Sequence, residues 1–253
     1  MVTAVSGPQT APAWSLDPDV LALGPDTLGR APRVEFAETG RPGRLIVFDG
    51  VDGSGKTTAL KATAAYLADR GLPVEIAGLL SPECRELPYF QRYAVDPTSA
   101  LRGEVDQPSL AVVCLGDRLM RYRTVYRRAL AQGRWLLVDR YVFTPLAESM
   151  AFGVARAELD LLAQLSGLLP APDLAFFPQV EPEVALSRIR ERPEEQGHRL
   201  DLGFHRRTGA AFRALADLHG CAAYDAQSGP AAALARIKEH LDPLIDSYLE
   251  EKS

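Results

Sequence analysis

From Arg44 onward, short runs of consecutive apolar residues alternate with longer stretches of helical period. The runs "RLIVFD", "PVEIA", "RWLLVD", "DLAFFPQV" and "CAAYDA" are continuous in aliphatic and aromatic residues, as strands covered on both faces are. Residues 55–70, 108–132, about 146–168, 181–191 and 204–219 read as helices between them, and 229–250 as a closing helix. Strand alternating with helix predicts an α/β domain, a five-stranded parallel sheet flanked by helices. Residues 1–43 break this pattern. They are rich in Pro, Gly, Ala, Ser and Thr without a sustained period, so they are expected to form a poorly ordered extension docked on a domain of residues 44–253. The alternative is a lid or partner-binding arm; "LDPDVLAL" is the one candidate helix there.

Composition narrows the classes. A formal charge of −5 gives no general attraction to nucleic acid or to an anionic membrane, so neither is an expected partner. Cys84, Cys114 and Cys221 stand far apart with no CxxC pair, which suggests neither a disulfide framework nor a zinc site. No apolar stretch approaches the length of a membrane span, and the start of the chain lacks a basic segment followed by an apolar run. A cytoplasmic protein is the expectation.

The strongest chemical signal is "GVDGSGKT", residues 50–57, which fits G-x-x-x-x-G-K-[ST] between a predicted buried strand and a predicted helix. Gly50, Gly53 and Gly55 permit a tight turn in which successive backbone N–H groups, those of Ser54 and Thr58 included, point inward, and the helix adds its positive end. Lys56 can reach the outer phosphates of a nucleoside triphosphate, and the Thr57 hydroxyl can ligate Mg²⁺. In "RWLLVDRY" Asp139 ends a strand, where a carboxylate faces the ligand crevice of an open α/β sheet and can serve Mg²⁺. Arg140 beside it suits a second phosphate. In "SRIRERPEEQGHRLD", Arg188 and Arg192 share a helical face, and Arg199 lies beyond a Pro- and Gly-containing loop. An arginine-bearing lid would neutralise charge on a migrating phosphoryl group and exclude water. A solvated helix end with interleaved glutamates is the plainer reading of the same residues.

Taken in order, "FDGVDGSGKTT", "VDRY", "PDLAFFPQV", the lid arginines and "YDAQSGP" resemble the thymidylate kinases over roughly residues 44–245. The resemblance implies a P-loop NTPase fold and transfer of the ATP γ-phosphoryl group to a pyrimidine nucleoside monophosphate such as dTMP. It implies Lys56 and the loop amides on ATP, with Thr57 and Asp139 on Mg²⁺ and Arg192 and Arg199 as catalytic lid residues. Arg188 and Asp225 would lie on the ATP side; Asp52, Arg118, Arg140 and Tyr141 would face the acceptor. A homodimer is also implied. The sequence departs from the family on the acceptor side: "AGLLSPECREL" leaves only Arg85 to grip the acceptor phosphate, Cys114 stands where a stacking ring is usual, and Pro145 and Glu148 replace an amide and a ring. A different acceptor, a nucleotide-binding regulator without transfer activity, and a partner-stimulated ATPase therefore remain open.

Overall fold

Strands β1 (Arg44–Phe48), β2 (Val74–Gly78), β3 (Trp135–Asp139), β4 (Leu174–Gln179) and β5 (Ala222–Asp225) form one sheet in the order β2-β3-β1-β4-β5, every neighbouring pair parallel. The structure, a computed structural model, describes residues 19–24, 28–37, 40–78 and 80–252. The predicted five-stranded parallel sheet is thus the sheet observed. Ten α-helices accompany the strands among the described residues: α1 (Lys56–Ala68), α2 (Pro82–Arg85), α3 (Pro88–Val95), α4 (Gln107–Arg121), α5 (Arg127–Ala131), α6 (Phe143–Ala151), α7 (Arg156–Ser166), α8 (Pro182–Arg190), α9 (Leu202–His219) and α10 (Pro230–Glu250).

Alternation along the central strands divides the core into two layers. Leu45 and Val47 of β1, with Leu136 and Val138 of β3, pack in one cluster with residues of α4, α6, α7 and α9. Ile46 and Phe48, with Trp135 and Leu137, pack in the other with α1 and α10. The central strands β1, β3 and β4 are buried as their unbroken apolar runs predict, but β2 lies at an edge and leaves Ile76 52% exposed.

Two predicted helices are interrupted. The run 108–132 is α4 and α5 joined by a π turn at Tyr122–Tyr126, and 146–168 divides into α6 and α7 around Gly153, whose backbone takes φ +69°. Helices α2 and α3 fall in a stretch with no predicted element, each begun by a proline that supplies the fixed φ of a first helical turn.

Part of the N-terminal expectation concerns residues 1–18, 25–27 and 38–39, outside the described residues. Of the candidate helix "LDPDVLAL", Val20–Ala22 form one 3₁₀ turn. The described stretches lie on the α6, α7 and α9 side of the sheet. Val20 and Val34 are buried, and Arg207 of α9 donates to Ala151 O (2.8 Å) and Gly24 O (3.0 Å). Gly203 lets this segment approach α9, since a Cβ there would come within 2.4 Å of Leu21 O.

The sheet order matters most at the carboxyl ends of the strands. Phe48 and Asp139 are in register across the β1–β3 pair, so the loop leaving β1 emerges beside the end of β3. Pro178 of β4 flanks the same loop, its ring about 3.5 Å from the position of a Cβ on Gly50. Because β1 pairing with β4 ends at Phe176, this proline removes no hydrogen bond from the β1–β4 ladder.

Candidate active site

The loop between β1 and α1 takes backbone angles that side chains other than glycine rarely adopt: Gly50, Gly53 and Gly55 have φ of +144°, +75° and +89°. At Gly53 a second constraint applies, because a Cβ would lie 2.2 Å from Ala185 O of α8. The absent side chain is what lets the lid helix sit directly on the loop. Lys56, the first residue of α1, is buried and donates from Nζ to Val51 O at 2.7 Å. Thr57 Oγ1 donates to Asp139 Oδ2 at 2.9 Å, bringing together the two residues predicted for a metal from positions separated by 82 in the chain.

Three cavities meet at this loop. The smallest, about 90 Å³, is lined by Lys56, Thr57, Thr58, Asp139, Arg140 and Arg192. A second, of about 290 Å³, shares Gly53, Gly55, Thr58 and Arg192 with it and extends along Arg188 to Tyr224 and Gly229. The third, also about 290 Å³, shares Asp52, Asp139 and Arg140 with the smallest and opens on the opposite side toward Arg85, Tyr93, Cys114, Arg118 and Glu148. A phosphate-sized cradle therefore has a larger compartment on each side. Lysine, arginines and backbone amides make it a site for anions. Residues 48–233 match the family model described as Thymidylate kinase.

The chain belongs to the thymidylate kinase family.

Its similarity to individual members agrees. It is 32% identical to the thymidylate kinase of Synechococcus sp. (strain CC9902) over 82% of this chain and 99% of that protein. It is 29% identical to the thymidylate kinase of Akkermansia muciniphila over 79% of this chain and 92% of the relative. The probable thymidylate kinase of Pyrococcus horikoshii is 31% identical over 59% of this chain and 71% of its own length. The protein is accordingly a phosphotransferase, a kinase.

Not every predicted site residue faces the cavities. Arg188 sits between the loop and the second cavity, donating to Gly53 O (3.3 Å) and Ala226 O (3.2 Å). Arg192 reaches the cradle, whereas Arg199 is turned to Asp96 at 3.7 Å with its side chain 64% exposed. Ser54 is buried in the loop, its hydroxyl without a hydrogen bond among the described residues. Asp225 caps the turn after β5, accepting from Gln227 N at 2.8 Å and from the Ser228 hydroxyl. Asp52, Arg118 and Arg140, predicted to face the acceptor, line the third cavity. Tyr141 does not: it is buried, and its hydroxyl donates to Pro170 O at 2.8 Å. Arg85, singled out as a substitute anion grip, does line that cavity.

Arg140 is the one non-glycine residue with positive φ among the described residues, at +69°. Its guanidinium pairs with Asp52 and reaches Thr144 Oγ1 at 3.3 Å. The surrounding protein by itself would raise the Asp52 carboxyl, but Arg140 and then Lys56 hold it below the usual carboxylate range. For Lys56 itself, burial and the neighbouring Arg140 charge prevail over three nearby aspartates and lower the ammonium to about 8. Glu148 is pushed up to about 7, mainly by burial, with Asp52 adding to the rise and Arg140 opposing it. The repulsion expected between this carboxylate and an anionic acceptor is weakened accordingly.

Sequence reasoning missed Asp49. It is fully buried at the end of β1, where its carboxylate accepts from Tyr141 N (2.9 Å) and from the Thr144 hydroxyl. Asp49 thereby ties the turn that carries Arg140 to the phosphate loop. The signal was its place between a buried strand and Gly50, but its partner Thr144 lies 95 residues away. Asp49→Ala is expected to cost about 3 kcal/mol by leaving buried donors unpaired. An unfolding midpoint in urea equal to that of the parent would contradict this. Phe90 and Tyr93 of α3 and Phe204 of α9 line the same cavity as Cys114.

Proposed function

We propose that this kinase transfers the γ-phosphoryl group of ATP to dTMP. The observation that carries the reading is the row of three cavities joined through Arg192 on one side and Asp52, Asp139 and Arg140 on the other. Adenine takes the compartment beside Arg188 and Gly229, the triphosphate lies on the loop amides and Lys56, and the acceptor occupies the cavity beyond Arg140. Arg140 holds the acceptor phosphate, and Arg118 meets the base. Arg118 suits that role because it is buried with Nε and Nη1 unpartnered among the described residues, and buried donors need acceptors. A phosphate monoester near neutral pH is already an anionic nucleophile. The acceptor thus needs alignment and charge neutralisation more than a general base.

Thr57 and Asp139 would hold Mg²⁺. Hydroxyl and carboxylate oxygens are the hard donors this ion prefers, and no cluster of three or more His, Cys, Asp or Glu suited to a metal occurs among the described residues, so phosphate oxygens and water would complete the shell. Bound there, the ion would neutralise charge on the outer phosphates.

An ADP-release assay tests the reading. With Mg²⁺ and ATP present, dTMP is expected to raise ADP formation well above the rate without acceptor. The same rate with and without every nucleoside monophosphate would overturn it.

No helix among the described residues is long and apolar enough to cross a membrane. The same proposal takes the enzyme as cytoplasmic and homodimeric. Val112, Val113 and Met120, exposed on α4, support a partner face. Light scattering should give twice the 27.5 kDa chain mass, and a monomer at micromolar concentration would remove the dimer from the proposal.

A further inference from the structure

The described residues that precede β1 take no part in the reaction above, yet three glycines on the α6, α7 and α9 side of the sheet receive them. Val20 Cγ2 lies 3.0 Å from the position of a Cβ on Gly153, which follows α6. Leu21 O lies 2.4 Å from that of a Cβ on Gly203, in the first turn of α9, and Glu35 O lies 2.4 Å from that on Gly167, after α7. Arg207, buried one turn further along α9, donates to Gly24 O at 3.0 Å. At the other end of that helix His219 meets Phe36 edge to face, with ring centroids 6.2 Å apart. The described stretches thus hold α9 at both ends.

Two of these contacts adjoin residues of the acceptor cavity. Gly153 follows Phe152 and Gly203 precedes Phe204, and the two rings pack together with centroids 5.0 Å apart. Phe152 also meets Tyr93 at 6.2 Å, and Phe204 and Tyr93 line the cavity. The 3₁₀ turn Val20–Ala22 therefore touches the backbone beside each member of the Phe152–Phe204 pair. The lid loop ends at the same turn of α9. Asp201 caps the helix by accepting from Phe204 N at 2.7 Å, and Glu195 and His198 of the loop line the cavity as well.

We propose that the Val20–Ala22 turn is a positioning element for acceptor binding: by fixing the start of α9 against the end of α6, it sets Phe204 and the exit of the lid loop where the acceptor meets them. The proposal rests on the assignment of this cavity to a nucleoside monophosphate and adds residues from before β1 to those that govern its affinity.

The physical reason is preorganisation. In a close-packed interior a shift of the backbone at Gly203 is passed to its neighbour Phe204. A ring already held in place loses little freedom when the acceptor settles against it, so binding costs less. Val20 and Leu21 act through Phe152 and Phe204 and touch no substrate themselves.

Gly203→Ala in the full chain tests this by forcing Leu21 O away. In a helix with nothing packed on it the change is neutral or stabilising, so a loss comes from the turn. KM for dTMP is expected to rise about fivefold or more, with KM for ATP changed about twofold or less. Val20→Ala, which shortens the side chain packed on Gly153, should act in the same direction, and the double variant should fall short of the product of the two effects. Coupling is reciprocal, so in the parent saturating dTMP should slow hydrogen exchange at Ala22 N and Leu23 N, which donate to Asp19 O (2.9 Å) and Val20 O (3.2 Å). A lowered unfolding midpoint with KM for dTMP unmoved in both variants, or equal rises in KM for dTMP and ATP, would overturn the proposal. Should neither variant fold, exchange in the parent decides, and no protection by dTMP overturns it. Turnover of dTMP alongside any of these results leaves the kinase reading intact, whereas failure of dTMP to stimulate ADP release removes that reading and this inference together.

Discussion

Lys56→Ala is expected to lower kcat on the order of a thousandfold or more while the chain still folds, because a preorganised charge facing the migrating phosphoryl group contributes several kcal/mol in a water-poor site. Lys56 is buried at the start of α1 and donates to Val51 O of the loop. A second signature follows from its titration. With the free ammonium lowered to about 8, mainly by burial, the group is increasingly neutral as pH rises above that value. A bound triphosphate favours the charged form and raises this pKa, so ATP binding above pH 8 takes up a proton, and affinity falls as pH rises. Calorimetry at about pH 8.5 in two buffers of different ionisation enthalpy should show that uptake in the parent and none in Lys56→Ala. Undiminished turnover in the variant would refute the role of the residue.

Arg140→Ala should reduce kcat/KM for the acceptor by about two orders of magnitude while the KM for ATP changes about threefold or less, because truncating one member of a crevice charge pair costs 2 to 5 kcal/mol. The positive φ of Arg140 sharpens the test. An L-residue there costs roughly 1 kcal/mol or more, so Arg140→Gly relieves strain that Arg140→Ala retains. Both variants should lose acceptor turnover equally, and the glycine variant should unfold at higher temperature. Strain held at a residue that pairs with Asp52 and reaches Thr144 is the mark of a side chain positioned for use. Equal losses on ATP and acceptor would place Arg140 on the donor side instead.

The legible parts of the fold share one physical property: each is local. A run such as "RLIVFD" is a strand because consecutive apolar residues need cover on both faces, and "GVDGSGKT" marks a phosphate loop because its glycines reach angles closed to other residues. Helices α2 and α3 escaped because they are 4 and 8 residues long and begin at prolines, too short for a period to accumulate. Glu148 was visible as a departure, but its environment was not. Its character depends on Tyr93 from α3, Arg118 from α4 and Asp52 from the loop.

The amino-acid order by itself determined the strands, the phosphate loop with Lys56 and Thr57, and the family. These depend on spacing along the chain, which steric limits and hydrophobic burial translate directly into local structure. Tertiary structure alone decided that β3 lies beside β1, which delivers Asp139 to Thr57 and Arg140 to Asp52. It also decided that Arg192 turns to the cradle and Arg199 to Asp96, and that buried Asp49 ties Tyr141 and Thr144 to the end of β1. Charges and hydrogen bonds between residues distant in the chain acquire their strength only when folding brings them together and removes the water between them.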